Sequence, residues 1–250
     1  MNSAKRNDLD RSSSEEATGA SGEVLRILSG GAANGLVSRL EEQFNAQCQL
    51  TIEGDFGAVG GMRDRVVSGE AVDVVILTRA LIEELADQGH VEADSVRDLG
   101  QVVTGIAVRS GARKPAVSTA SELRDLLASA SALYVPHTTR STAGKHVAAV
   151  LKALGLDLSG RLREFSNGQS AMAAMAEDAI QGAVGCTQIT EILNTEGVDY
   201  AGDLPGVHGL VTTYTAAIST AAAQPQAAAA LISLLSDPSA QETREAAGFS

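Results

Sequence analysis

The residues of this chain that could hold and act on a small ligand sit in turns rich in glycine, hydroxyls and amides. Ser29-Gly30-Gly31-Ala32-Ala33-Asn34-Gly35 is the first, and Gly54-Asp55-Phe56-Gly57-Ala58-Val59-Gly60-Gly61 the second. Thr78-Arg79, Ser141-Thr142-Ala143-Gly144, Asn167-Gly168-Gln169-Ser170 and Thr187-Gln188 share their character. Small residues let the backbone approach a ligand closely, and the unpaired N–H groups of a helix start favour an anion. One such turn alone is equally a tight strand-to-helix connection. The recurrence of the type is what points to a site, one that surrounds a small polar or anionic ligand with N–H groups.

Charged and titratable residues near these turns have two readings each. Arg79 either clamps a carboxylate or oxyanion or pairs with Glu83 one helical turn on. Arg140 and Lys145 flank the Ser141 turn with the same ambiguity. Candidates for proton transfer are Asp55, His137, Glu191 and His208, with His137 just past a strand end and close to the Ser141 turn. Such a group needs hydrogen-bond reach to substrate and a tuned pKa. Tyr214 is either a cleft hydroxyl or ordinary lining, and Tyr134 is expected in the core. Other chemistries lack their signatures. Gly54 to Gly61 is followed by no Gly-Lys-Ser/Thr, so it is not a nucleotide P-loop. The glycines at 30, 31 and 35 do not spell a dinucleotide fingerprint. No Gly-x-Ser-x-Gly elbow is present. His90, His137, His146 and His208 make no metal-ligand pattern, and no cofactor is expected.

These turns need strands and helices to position them. Val24 to Leu28 reads as a strand, and Leu36, Val37, Leu40 and Phe44 mark the apolar face of a helix behind it. Gln49 to Glu53 alternates as a strand, and a helix is expected over Met62 to Ser68. The run Val72-Asp73-Val74-Val75-Ile76-Leu77 reads as a buried parallel strand leading into a helix that ends near Gly89. Parallel sheets bind ligands at the carboxyl edge, where these turns fall. Further strands are expected at 102–108, 132–136, 162–165, 182–186 and 210–218. Cap chemistry at Ser118 to Glu122 and at Ser166 to Ser170 announces helices, and two more are expected over 226–235 and 239–247. The order suggests two α/β lobes. The chain passes into the second near Thr104 to Val108 and returns near Thr212 to Ala217. The expected division is residues 23–105 with 214–250 in lobe 1, and 106–213 in lobe 2.

Composition bounds the partners. The 250 residues carry a formal net charge of −12 and only 3% aromatic residues, which argues against nucleic acid and against anionic membranes. No apolar run is long enough for membrane insertion. The two cysteines, Cys48 and Cys186, form no CxxC pair and read as free thiols. Met1 to Gly22 is polar, without the apolar stretch of a secretory signal, so a disordered tail and a cytoplasmic location are expected.

The order Ser-Gly-Gly-Ala-Ala-Asn-Gly-Leu over 29–36, then Phe56-Gly57-Ala58-Val59-Gly60, then Gly69 to Thr78, resembles the molybdate-binding-protein-like branch of the type 2 periplasmic binding proteins. The ending, Leu234 to Gln241 through Gly248-Phe249, is similar to their terminal helix. The resemblance spans about Glu23 to Ser250. It implies a two-lobe α/β fold, with a mixed, mostly parallel sheet flanked by helices in each lobe and two crossing strands. It also implies a ligand held between the lobes by hydroxyls and backbone N–H groups. By position, the first turn would contribute Ser29, Gly30 and Ala32, the second Gly57, Ala58 and Val59, and lobe 2 Thr142, Ala143, Gln169, Ser170 and Thr187. The turn and charge chemistry above adds Asn34, Thr78, Arg79, Arg140, Ser141 and Gln188 as candidate ligand contacts. The second turn carries no hydroxyl, which departs from the serine-rich turns of molybdate binders. The branch also includes aconitate-isomerase-like enzymes, which move an allylic proton in a small tricarboxylate without a cofactor. The resulting expectation is a cytoplasmic isomerase of a small unsaturated acid, with His137, Tyr214 and Glu191 as candidate catalytic groups. The alternatives are a solute-binding protein for an importer, which would meet an ABC permease if exported, and a cytoplasmic ligand sensor.

Overall fold

The computed structural model describes residues 24–250; the tail expected at 1–22 lies outside the described residues. Strands β1 (Val24–Gly30), β2 (Thr51–Gly57) and β3 (Val74–Thr78) alternate with helices α1 (Asn34–Cys48), α2 (Val59–Val67) and α3 (Arg79–Asp87). β4 (Arg97–Arg109) then crosses to the second lobe. There α4 (Ala120–Ser129), β5 (Ala132–Pro136), α5 (Thr142–Ala153), β6 (Leu162–Phe165), α6 (Gly168–Glu177), β7 (Ala183–Gln188), α7 (Ile189–Leu193) and β8 (Val198–Asp203) follow. β9 (Val211–Ile218) returns, and α8 (Pro225–Ser236) and α9 (Gln241–Ala246) end the chain.

The strands lie in the order β2-β1-β3-β9-β4-β7-β5-β6, with β8 also on β4. Pairing is parallel among β1, β2 and β3 and among β5, β6 and β7. It is antiparallel wherever β4 or β9 takes part. The two crossing strands thus join two parallel half-sheets. β3 and β5 are covered almost throughout, as their continuous apolar runs require. One buried cluster draws on residues from Leu25 to Val102 and from Tyr214 to Phe249. Two others draw on residues from Ile106 to Leu204. Each half therefore packs on apolar clusters of its own, one in the first half and two in the second.

Local chemistry sets several boundaries. Thr119 and Glu122 close a reciprocal capping box at α4. Ser141 caps α5 through the Gly144 N–H at 3.3 Å, and Asn167 caps α6 through the Ser170 N–H at 2.8 Å. Other boundaries depart from expectation. Gln49 is not a strand residue: it ends α1 in the left-handed region, with φ 59°, and β2 begins at Thr51. The second glycine turn is mostly strand, because β2 keeps its parallel register with β1 through Gly30 and Gly57, leaving Ala58 alone as the connection. Thr187 and Gln188 belong to β7, opposite Gly105 and Thr104 of β4. α7 and β8 had no counterpart among the expected elements.

Candidate functional site

The turns meet where the two lobes touch. β1 delivers Ser29, Gly30 and Gly31, and a short 3-10 turn over Gly31–Ala33 leads into α1. The glycines are there because nothing larger fits. A Cβ on Gly30 would lie 2.7 Å from a Val59 methyl and 2.9 Å from the Tyr214 ring. One on Gly31 would lie 2.6 Å from Glu191 Oε1. The diglycine therefore lies between Tyr214, from β9, and Glu191, from α7. Ala32 is buried in the same turn, and the Ser29 hydroxyl, fully buried, turns back to the Gly30 carbonyl at 2.9 Å.

Side chains and backbone cross the junction. Asn34 Nδ2 donates to Gln169 Oε1 at 2.7 Å, joining the first residue of α1 to the first turn of α6. Asn167 Nδ2 donates to the Phe56 carbonyl at 3.4 Å. The Tyr214 phenol donates to Gln188 Oε1 at 2.7 Å. A Cβ on Gly60, at the start of α2, would lie 3.1 Å from the Arg140 carbonyl, so the Ala58-Val59 connection faces the Ser141 turn. The starts of α2, α5 and α6 thus converge with the Gly30-Gly31 turn, and the lobes are closed on one another. A separate cavity of about 460 Å³ lies in lobe 2, between Val108–Pro115, Leu126–Ala130 and Ile180–Val184, and contains none of these turns.

Glu191 is the one carboxyl placed at this junction by the contacts above, and it is only 6% exposed. Thr187, four residues earlier in β7, donates its hydroxyl to Oε2, and the Gly168 N–H donates to Oε1 at 3.1 Å. Burial pushes its pKa above the ordinary carboxylate value, and the hydrogen bonds offset that in part. Burial also raises the Tyr214 phenol well above its usual range, with the nearby Glu191 adding to the effect. Tyr214 therefore stays protonated and acts as a donor. A second unusual group is Gln188, which is 2% exposed and whose Nε2 has no partner among the described residues.

The remaining candidates separate from this junction. Thr78 makes no side-chain cap on α3. Arg79 is about half exposed and turned to Asp98, with Glu83 at 3.9 Å, so its guanidinium belongs to a surface ion pair. Arg140 and Lys145 have exposed side chains; Arg140 meets lobe 1 through its carbonyl alone among the contacts described. His137 Nδ1 lies 3.2 Å from the Thr139 hydroxyl and 3.7 Å from Glu164, on the outer strand β6. Asp55 is held by Arg65 at 2.6 Å, and the His208 carbonyl accepts from His146 Nε2 at 2.7 Å. Tyr134 is core: it stacks on Phe165, and burial pushes its phenol up to about 12. Thr142 and Ala143 open α5, and Ser170 sits in the first turn of α6 beneath the Asn167 cap. Gly31, Asn167 and Gly168 were not among the expected contact residues. The Asn cap was visible in the sequence as a helix signal; its second use as a bridge to Phe56 was not.

Among the described residues the site has no buried cation, so any anion there would be held by N–H groups, hydroxyls and amides. Among the described residues no cluster of His, Cys, Asp or Glu is arranged to hold a metal ion, and no helix is long and apolar enough to cross a membrane.

Comparison with known proteins agrees with this architecture. An aconitate isomerase from Pseudomonas sp. is 26% identical over 235 residues, covering 90% of this chain and 87% of that protein. The periplasmic molybdate-binding protein of Azotobacter vinelandii superposes with a TM-score of 0.73 at 20% identity, covering 90% of this chain and 98% of that one. The sulfate-binding protein of Mycobacterium tuberculosis gives 0.71 at 18% identity, covering 91% and 86%. These structures share the periplasmic-binding-protein fold with this chain, and the resemblance to the molybdate-binding branch holds. The family model for bacterial extracellular solute-binding proteins matches residues 25–250, and this chain belongs to that family.

Proposed function

We propose that this protein binds a small unsaturated carboxylic acid between its lobes and shifts an allylic proton along it, as an aconitate-isomerase-like enzyme that needs no cofactor. The observation that carries the reading is Glu191, a buried carboxyl at the lobe junction with its pKa raised by desolvation. An allylic shift takes a proton from one carbon and returns one to another, while the charge spreads into an adjoining carboxylate. As carboxylate, Glu191 accepts the proton; as acid, it returns it. Raising its pKa moves it toward the range in which both forms serve. The N–H groups at the starts of α2 and α5 stabilise the substrate carboxylates and the developing charge. Tyr214 and Thr187 supply neutral hydroxyls beside the reacting region. The aconitate isomerase relative supports this choice of chemistry.

The test is proton NMR of aconitate with the purified protein in D2O. Isomerisation, or deuterium entering the allylic position, is expected. Glu191→Gln should lower that rate by about 10²–10⁴, the usual contribution of general acid–base catalysis. Binding of aconitate without exchange or isomerisation would remove the enzyme reading.

A second reading is favoured by the family itself and by the N–H groups that line the junction: a solute-binding protein that hands a small oxyanion or carboxylate to an importer permease. A thermal-shift panel of molybdate, tungstate, sulfate and tricarboxylates separates the two, since stabilisation by molybdate or tungstate alone supports this reading. The isomerase reading goes with the cytoplasm and the transport reading with the outside of the cell membrane, so cell fractionation gives an independent answer.

A further inference from the structure

We propose that Gln188 selects the ligand of the interlobe site, presenting a carboxamide N–H to a second oxygen function beyond the carboxylate held at the helix starts. This rests on the carboxylate reading above and adds the residue that chooses among carboxylates. Gln188 ends β7 and is almost wholly buried. Its Oε1 is fixed by the Tyr214 phenol, which reaches it from β9. In this arrangement the NH2 group faces away from that bond. Nε2 meets no acceptor among the described residues. Buried amide donors in folded proteins almost always find a partner, so a donor held in place and left unpaired points to an acceptor supplied by a ligand.

The surroundings agree. The Tyr214 ring that anchors the amide lies against Gly30, which puts this end of β7 at the floor of the first glycine turn. Thr104 stands directly opposite Gln188 in the β4–β7 register, and its buried hydroxyl oxygen also has no partner among the described residues. Directly opposed residues of an antiparallel pair share a face. Two unsatisfied polar groups thus lie side by side beneath the junction. The ligand that fits carries one anionic group for the N–H groups of α2 and α5 and another oxygen acceptor for Gln188. A di- or tricarboxylate offers both. A monocarboxylate offers the first alone.

The experiment is isothermal titration calorimetry of the full chain with propane-1,2,3-tricarboxylate, acetate and molybdate. The saturated tricarboxylate has no allylic proton, so binding is read without turnover. The wild-type chain should bind it at least tenfold tighter than acetate. Gln188→Met keeps the length of the side chain and removes the amide. It should bring that ratio below threefold while leaving acetate affinity within twofold. Tyr214→Phe frees the amide without removing it and should lower the ratio at least threefold. It also serves if the methionine variant does not fold. A folded variant that discriminates as the wild type does overturns the role of Gln188 and leaves the carboxylate reading standing. A wild-type chain that binds molybdate and neither carboxylate overturns both.

Discussion

Gly168→Ala tests the placement of Glu191 with one methyl group. Gly168 opens α6 without the left-handed backbone that would demand glycine, so alanine suits its conformation. That change alone would stabilise the helix by about 0.5 kcal/mol. The added Cβ, however, would overlap the Glu191 carboxylate and the Thr187 hydroxyl. Glu191 must then leave its position and lose its bonds from Thr187 and from the Gly168 N–H. Hydrogen bonds of this kind contribute about 1–2 kcal/mol each, so the loss is about 2–4 kcal/mol and the net cost about 1.5–3.5 kcal/mol. In a protein of this size that lowers Tm by roughly 3–14 °C. Gly61→Ala is the matched control, because it lies within α2 and its Cβ would meet nothing within 4 Å. Urea and thermal unfolding of both variants give the comparison. If Gly168→Ala is as stable as Gly61→Ala, Glu191 does not occupy the position described and the argument built on it fails.

Three further outcomes follow from the same geometry. Glu191 has a folded pKa above its ordinary value of 4.5, so its contribution to stability is whole below that value and is lost as pH rises through the folded pKa. Glu191→Gln should flatten that decline in unfolding curves recorded from pH 4 upward, and an unchanged slope would assign it elsewhere. Asn34→Ala removes the 2.7 Å bond to Gln169 that joins the lobes. A bond worth about 0.5–1.5 kcal/mol to the closed form alone weakens ligand affinity by roughly two- to twelvefold, read by calorimetry, and unaltered affinity would mean closure does not depend on it. Arg79→Ala should leave affinity for any interlobe anion within twofold, because its guanidinium faces Asp98 on the surface; a larger loss would bring Arg79 back into the site.

Local sequence carries a large part of this molecule. Continuous apolar runs identify β3 and β5, because a strand covered on both faces has no use for alternation. Thr119 with Glu122, Ser141 and Asn167 announce their helices, because a cap is made with residues two or three positions away. The glycine turns are visible for the same reason. Other features depend on distant partners. β8 contains Asp199, Gly202 and Asp203, poor strand formers, and is ordered by pairing with β4. α7, five residues long, is below the length that is stable by itself and forms because its buried face meets β4, β8 and the Gly31 turn. Arg79 illustrates the limit within a single side chain: Glu83 can be read from helical spacing, but Asp98 is brought to it by β4.

The candidate site divides in the same way. Composition, spacing and turn chemistry determine that the chain builds strand-turn-helix units with N–H groups at the carboxyl edge of a sheet. They also place Thr187 and Glu191 in one polar stretch at the exit of a strand. What they cannot determine is which of several polar side chains meet. Tyr214 reaches Gln188 and Glu191 reaches Gly31 only because β4 and β9 bring two separately packed halves into contact. Burial of a carboxyl, and with it the rise in its pKa, comes from everything packed around it, so that property belongs to the tertiary structure alone.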